Sequence, residues 1–311
     1  MPPRALPFLL ALFHGLSGLG QDAGRAIATG DSLMALGRPQ KALAAYNAAV
    51  KATPSAASYS ARARAWMELD RLDKYLGDVN EALVLDSMHV EANYQRALYA
   101  YRGEDRHAAE RLATRGLERA TGELRRKLLV VRGMARSELR RHAGAIADLR
   151  EGLGERTDDR PALQALAASL DQAKDHEGSL RVMEILCAVA PDDIGNWTNR
   201  GYELAQLGRH AEALEIYAKA LAMDKDEPTA LSNRSWSLLQ LGREDEAMAD
   251  VERSLRGYPS NPFALRTRAM IRLRRGQREK ACADLSLAKI LGEVPQVDQL
   301  LKEHCDGGTA K

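Results

Sequence analysis

A period of about 34 residues runs through most of this chain and constrains its fold more than any other feature. In the C-terminal half, Gly208, Gly242 and Gly276 lie one full period apart from one another. On each side of these glycines, apolar or small residues recur at helical spacing over about four turns. A glycine between two helical segments is typical of the point where a helix ends and the chain reverses. Because one helical hairpin cannot bury its apolar face alone, the period predicts a stack of hairpins.

The period divides the chain into eight units, of which the last five follow one another without an insertion. The units span residues 23–55, 56–89, 90–125, 126–159, 160–193, 194–227, 228–261 and 262–295. Units two to five carry Asp70, Glu104, Arg140 and Lys174 where the turn glycine would be expected. We therefore expect the turns of these four units to be less regular than the others.

The order of residue types within a unit resembles the tetratricopeptide repeat. The clearest copy consists of Trp197, Gly201, Leu204, Gly208, Ala213, Tyr217 and Ala220. The resemblance covers residues 23–295 and implies an all-α fold, a right-handed α-solenoid of about eight helix-turn-helix units. Residues 296–311 are then predicted to form a C-terminal capping helix followed by a disordered tail. The resemblance also implies an interaction scaffold whose first helices line a concave groove for a peptide or protein partner.

The N-terminus differs from the repeats. A positive charge at Arg4 precedes an apolar run over residues 5–13, and the small residue Gly20 follows it. This order predicts a secretory signal peptide over residues 1–20, cleaved before Gln21, and so a periplasmic or secreted protein. The run is too short to span a bilayer, so we expect no integral membrane segment in the mature chain. The alternative is an apolar helix that caps the first unit of a cytoplasmic protein.

Six arginines occupy one position of the first helix in their units: Arg62, Arg96, Arg132, Arg200, Arg234 and Arg268. Such a ladder could bind anions. In four of these units an aspartate follows at one fixed spacing, on the second helix, and these are Asp78, Asp148, Asp250 and Asp284. This spacing favours structural ion pairs between the two helices of a hairpin over an anion-binding stripe.

The residues of the first helices that face away from the second helices are candidates for the partner-binding groove. They are Arg64, Tyr94, Tyr101, Asn199, Tyr202, Asn233, Trp236, Gln240, Arg266 and Arg274. Tyrosine and tryptophan supply large contact areas at low entropic cost. Tyr101 and Trp236 could equally pack between neighbouring helices. The six arginines between residues 266 and 278 indicate either a solvated helix face or a site for an acidic or phosphate-bearing partner.

Two of the three cysteines lie on either side of the turn that precedes the capping helix. An antiparallel hairpin would bring Cys282 and Cys305 level, at a separation that a disulfide could bridge. In an exported protein this bond would hold the end of the solenoid. The alternative is a pair of free thiols. Cys187 lies in an apolar helical run and is predicted to be an inert core residue.

Motifs for chemistry are missing from the sequence. It contains no glycine-rich phosphate loop, nucleophile elbow or paired metal ligands. We therefore predict no catalytic, cofactor-binding or metal-binding residues, and a protein that is not an enzyme. A formal net charge of only +2 argues against a nucleic-acid partner. The predicted function is an exported scaffold for protein or peptide partners, of unknown oligomeric state. The alternative is a structural spacer or assembly component of an envelope complex, acting through the ends of the solenoid.

Overall fold

The computed structural model describes the backbone of residues 9–305 and the side chains from residue 21 onward. Within that range the chain forms 17 helices and no strand. The helices form two compact units, residues 1–154 and residues 155–311. None of the described helices is long and apolar enough to cross a membrane.

The first compact unit contains four helical hairpins. Its helices are α1 (Leu9–Ala35), α2 (Pro39–Ala52), α3 (Ala56–Glu68), α4 (Leu72–Leu85), α5 (Val90–Arg102), α6 (Arg106–Leu117), α7 (Gly122–Glu138) and α8 (His142–Leu153). Each odd-numbered helix is the first helix of its hairpin and packs against the second, even-numbered one. Each second helix up to α6 also packs against the next first helix, so neighbouring hairpins share a core.

The second compact unit contains four more hairpins and one additional helix. Its helices are α9 (Arg160–Gln172), α10 (His176–Val189), α11 (Ile194–Gln206), α12 (His210–Met223), α13 (Pro228–Gln240), α14 (Glu244–Gly257), α15 (Pro262–Arg274), α16 (Arg278–Leu291) and α17 (Val297–His304). The pattern of packing within and between hairpins is the same as in the first unit. The predicted all-α fold of eight helix-turn-helix units with a C-terminal helix is therefore confirmed for the described residues.

The turns within the eight hairpins correct one expectation. Every hairpin joins its two helices through three residues, and the central one has a left-handed backbone with φ between +54° and +75°. Asp70, Glu104, Arg140 and Lys174 adopt this conformation just as the four glycines do, so the expected irregularity was wrong. The reason is that hairpin packing fixes the turn, and a non-glycine residue there bears a cost of about 1–2 kcal/mol.

One predicted boundary between units also needs correction. Helix α7 begins at Gly122, so the boundary placed between residues 125 and 126 falls inside this helix. Thr121, the N-cap residue, has an extended backbone. Gly122, the first residue of α7, has a left-handed one. The third hairpin is correspondingly shorter than its predicted unit.

The two chain ends bear on the predicted signal peptide and tail. Residues 1–8 of the predicted signal peptide lie outside the described part of the chain, and the backbone of residues 9–20 belongs to α1, which continues past Gln21.

At the other end, α17 packs its Val297 and Leu301 into the core of the last hairpin. Cys305 at its C-cap forms a disulfide with Cys282 of α16, with the Cα atoms 5.7 Å apart. The predicted tail after residue 305 lies outside the described residues.

Candidate functional site

The first helices α11, α13 and α15 lie side by side and enclose a cavity of about 220 Å³. Its wall consists of Lys174, Tyr202, Ala205, Gln206, Tyr217, Ser232, Asn233, Trp236, Phe263, Arg266, Thr267, Pro295 and Gln296. Two of these side chains, Lys174 and Arg266, are cationic, and none is acidic. The cavity therefore combines aromatic walls with an uncompensated positive charge.

Arg266 is the most unusual side chain of this cavity. It is only 7% exposed, and among the described residues it has no ion-pair partner and its buried Nε has no hydrogen-bond acceptor. Its guanidinium carbon lies 4.2 Å from the centre of the Trp236 ring and 5.9 Å from that of Phe263. Burial lowers the pKa of the Arg266 guanidinium to about 10. The electrostatic interaction with Tyr202 raises this pKa, but by less. A buried cation without an anion is costly, because arginine stays charged at neutral pH.

Two hydroxyl groups of the same cavity also lack partners. The hydroxyls of Tyr217 and Ser232 are buried and make no hydrogen bond within the described part of the chain. Tyr217 is held in place because its ring packs on Gly201, where an added Cβ would lie 2.5 Å from the ring. At the equivalent position of the first hairpin, Tyr46 donates a 2.7 Å hydrogen bond to Asp31. Unsatisfied buried polar atoms are uncommon in proteins, and three of the ten found among the described residues line this one cavity.

Arg266 also stands apart from the other arginines of the last hairpin. Arg268 and Arg272 both donate to Asp284, at 2.7 Å and 2.6 Å. Arg274 and Arg275 pair with Glu244 and Asp245 of α14, and Arg278 donates to the carbonyl of His304. Each of these five arginines therefore has an internal hydrogen-bond acceptor, whereas Arg266 has no acidic partner among the described residues.

The cavity brings together four of the predicted groove residues, namely Tyr202, Asn233, Trp236 and Arg266. Asn199 lines a neighbouring cavity that Tyr202 also reaches. Gln240 is exposed outside both cavities, and Arg274 is exposed and paired with Glu244. Trp236 both lines the cavity and packs against the core around Leu239, so its two predicted roles coexist.

The three predicted groove residues of the first compact unit have internal partners. Arg64 forms a 2.6 Å ion pair with Asp31. Tyr94 and Tyr101 pack against the core between α5 and α7. The Tyr101 hydroxyl also donates to Glu138, and burial raises the Tyr101 pKa to about 12. These contacts give the three residues a structural role within their unit.

The structure brings together all four predicted arginine–aspartate pairs. In each pair, the arginine Nε and Nη2 donate to the two carboxylate oxygens of the aspartate 16 residues later, at 2.6–3.0 Å. The four aspartates, Asp78, Asp148, Asp250 and Asp284, are 4–6% exposed. Of the two remaining ladder arginines, Arg200 donates to Glu184 of the preceding hairpin, and Arg96 has no acidic partner among the described residues.

One cluster of metal-ligating side chain types lies beside the neighbouring cavity. It consists of Asp171, His176 and Glu203. The Nδ1 atom of His176 lies 2.8 Å from Glu203, which also accepts a 2.8 Å hydrogen bond from Ser179. Burial raises the pKa of Glu203. These hydrogen bonds satisfy Glu203, whereas the Oδ1 atom of Asp171 is buried and has no hydrogen-bond partner among the described residues.

Tyr217, Ser232, Phe263 and Thr267 belong to the cavity but were not predicted from the sequence. Tyr217 lies on a second helix, where the repeat pattern places core residues. Ser232 occupies a small-residue position of α13. The only signal in the sequence was that Arg266, unlike Arg268, has no aspartate at the spacing of the ion pairs, since residue 282 is a cysteine.

Comparison with known proteins gives the following similarities. The family model described as tetratricopeptide repeat matches residues 27–87 and 198–262. No curated protein matches the sequence. The solved TPR domain of P58(IPK) shares 18% identity, with 91% of this chain and 97% of that chain covered and a TM-score of 0.34. A tetratricopeptide repeat protein from Parabacteroides merdae ATCC 43184 shares 17% sequence identity. The match covers 91% of this chain and 98% of that chain, with a TM-score of 0.42. The MamA protein shares 16% sequence identity. The match covers 54% of this chain and 90% of that chain, with a TM-score of 0.48.

Proposed function

We propose that this chain, a tetratricopeptide repeat protein, is a non-catalytic scaffold that binds an acidic segment of a peptide or protein partner. The binding surface is the face of residues 155–311 formed by α11, α13 and α15. The observation that carries the proposal is Arg266, a buried guanidinium with aromatic neighbours and no acid. A carboxylate from a partner would supply the missing charge.

The chemistry of the cavity suits a carboxylate. Arginine presents a planar fork of donors that matches the two oxygens of a carboxylate. The hydroxyls of Tyr217 and Ser232, which have no partner among the residues described, can donate further hydrogen bonds. Trp236 and Phe263 exclude water from the guanidinium, which strengthens its attraction to an anion.

Preorganisation supports the same proposal. The desolvation of Arg266 is a cost of folding and is already present before a partner arrives. Binding therefore gains the charge interaction without having to bury the cation a second time. The exposed Lys174 at the edge of the cavity adds a second positive charge that would steer an acidic segment towards it.

We also propose that the protein is exported. The support is the signal-like segment over residues 1–20 together with the disulfide between Cys282 and Cys305. Stable disulfides are characteristic of the periplasm and of secreted proteins. The disulfide fastens α17 to the last hairpin, at the C-terminal end of the stack where fraying would begin.

A comparative pull-down tests the binding proposal. Wild-type protein, Arg266→Gln and the control Arg274→Gln are immobilised after circular dichroism has shown equal helicity. Each is exposed to the native envelope fraction, and the retained proteins are quantified by mass spectrometry. Arg274 is a matched control because it lies on the same helix but is exposed and already paired with Glu244.

We expect one or more partners to be retained by wild type and Arg274→Gln and lost from Arg266→Gln. Equal retention by all three proteins would refute a role for the cavity. If deletion of residues 262–311 then abolished retention, the alternative role as a spacer that acts through its ends would be supported instead.

A further inference from the structure

Among the described hairpins that carry the ladder arginine, only the hairpin of α5 and α6 leaves that arginine without an acidic partner. In four hairpins an aspartate at the seventh position of the second helix binds that arginine. In α6 the seventh residue is Leu112. Arg96 is retained on α5, stacked 5.5 Å from the centre of the Tyr99 ring, with no acid to bind among the described residues.

The space around Arg96 is also larger than in a paired hairpin. Arg96 lines a cavity of about 550 Å³, whereas the corresponding cavity around Arg234 measures about 370 Å³. Ala100 and Ala108 stand where the paired hairpin has the larger Leu238 and Glu246. These two smaller side chains contribute to the extra room.

The charge of this cavity is positive. The residues of its wall that are charged at neutral pH are Arg96, Arg111, Arg115 and Asp105, which give a formal net charge of +2. The cavity around Arg234 contains two arginines and two acids and is formally neutral. Asp105 is occupied as the N-cap of α6, where it accepts a hydrogen bond from the Ala108 amide. Within the described chain, the three arginines make no ion pair.

We propose that the α5–α6 hairpin binds a phosphate monoester or inorganic phosphate in this cavity. The ligand takes the place of the missing aspartate against Arg96, and Arg111 and Arg115 contact its remaining oxygens. A phosphate fits better than a carboxylate because it carries close to two negative charges and three acceptor oxygens at neutral pH. The site is independent of the Arg266 cavity, since all of its residues lie within residues 1–154.

Isothermal titration calorimetry at 0.15 M salt tests this proposal with two probes, inorganic phosphate and a short phosphoserine peptide. The same peptide with unmodified serine is the ligand control. The informative variants are Leu112→Asp, which restores the residue found in the paired hairpins, and the double variant Arg111→Gln plus Arg115→Gln, whose side chains are exposed. The protein control is Arg253→Gln, at the position of α14 that corresponds to Arg115.

We expect saturable binding with a Kd below about 1 mM for wild type and Arg253→Gln. For both cavity variants we expect the Kd to rise by a factor of about ten or more. Similar affinity for both probes assigns the site to the free phosphate group. Tighter binding of the phosphopeptide assigns it to a phosphorylated partner. The proposal is overturned if neither phosphate probe binds, if the unmodified peptide binds equally, or if the double variant retains wild-type affinity.

Discussion

Replacing Arg266 with methionine should make the protein more stable, although it removes a residue of the proposed binding site. Methionine keeps a flexible apolar stem in the cavity and removes the buried charge. Burial lowers the pKa of Arg266 in the folded protein from its ordinary value to about 10. At about 1.4 kcal/mol for each pKa unit, the charged form is destabilised by roughly 3 kcal/mol.

The loss of the contact with Trp236 offsets part of this gain. A guanidinium stacked on tryptophan at 4.2 Å contributes about 1 kcal/mol. We therefore expect Arg266→Met to raise the free energy of unfolding by roughly 2 kcal/mol at pH 7. The difference should narrow above a pH of about 10, because the folded protein then loses the Arg266 proton before the unfolded chain does.

Urea unfolding followed by circular dichroism measures this difference. The midpoint should shift upwards with an unchanged slope, which indicates a change in stability alone. Arg274→Met serves as the control, because Arg274 is exposed and its ion pair with Glu244 is worth little. A fall in the unfolding midpoint of Arg266→Met would refute the reasoning, since it would show that Arg266 stabilises the fold.

Three further predictions concern the scaffold. Asp250→Ala should lower the free energy of unfolding by roughly 3 kcal/mol, because it leaves the partly buried Arg234 unpaired, whereas Glu246→Ala should cost less than about 1 kcal/mol. Equal thermal melting temperatures of these two variants would contradict that account. Lys174→Gly should stabilise by about 1 kcal/mol and Gly208→Ala should destabilise by a similar amount, since both positions require a left-handed backbone. Unfolding midpoints that move in the same direction for both would show that the turns are not fixed by packing. Non-reducing peptide mapping of protein purified from the exported fraction should recover Cys282 linked to Cys305, and the double serine variant should lose about 3 kcal/mol. Recovery of both as free thiols would contradict the disulfide.

The repeat pattern was sufficient to predict the fold and the arginine–aspartate contacts. Residues at this fixed spacing face each other across the two helices of a hairpin. The pairing of Arg62 with Asp78 therefore follows from the period. The turns at Asp70 and Lys174 were misread because residue preference was taken as the cause of the turn. Packing of the two helices determines that backbone, and residue identity changes only its cost.

The cavity around Arg266 could be predicted only in part. Tyr202, Trp236 and Arg266 share a face of the first helices, and that face follows from helical spacing. The partnerless hydroxyl of Tyr217 could not be predicted, because an aromatic residue at a core position normally signals packing. Burial of Arg266 without an acid depends on three adjacent helices and on the linker before α17, which no local pattern encodes.

Site-specific photo-crosslinking in the native host is the most direct test of the claim that this cavity holds a partner. A photoreactive residue replaces Asn233, which lines the cavity, or Glu252, which is exposed on the second helix α14. We expect a defined crosslinked protein from position 233 that disappears when Arg266→Gln is added, and none from position 252. Crosslinks of equal yield from both positions, or a product at position 233 that persists with Arg266→Gln, would contradict the proposed site.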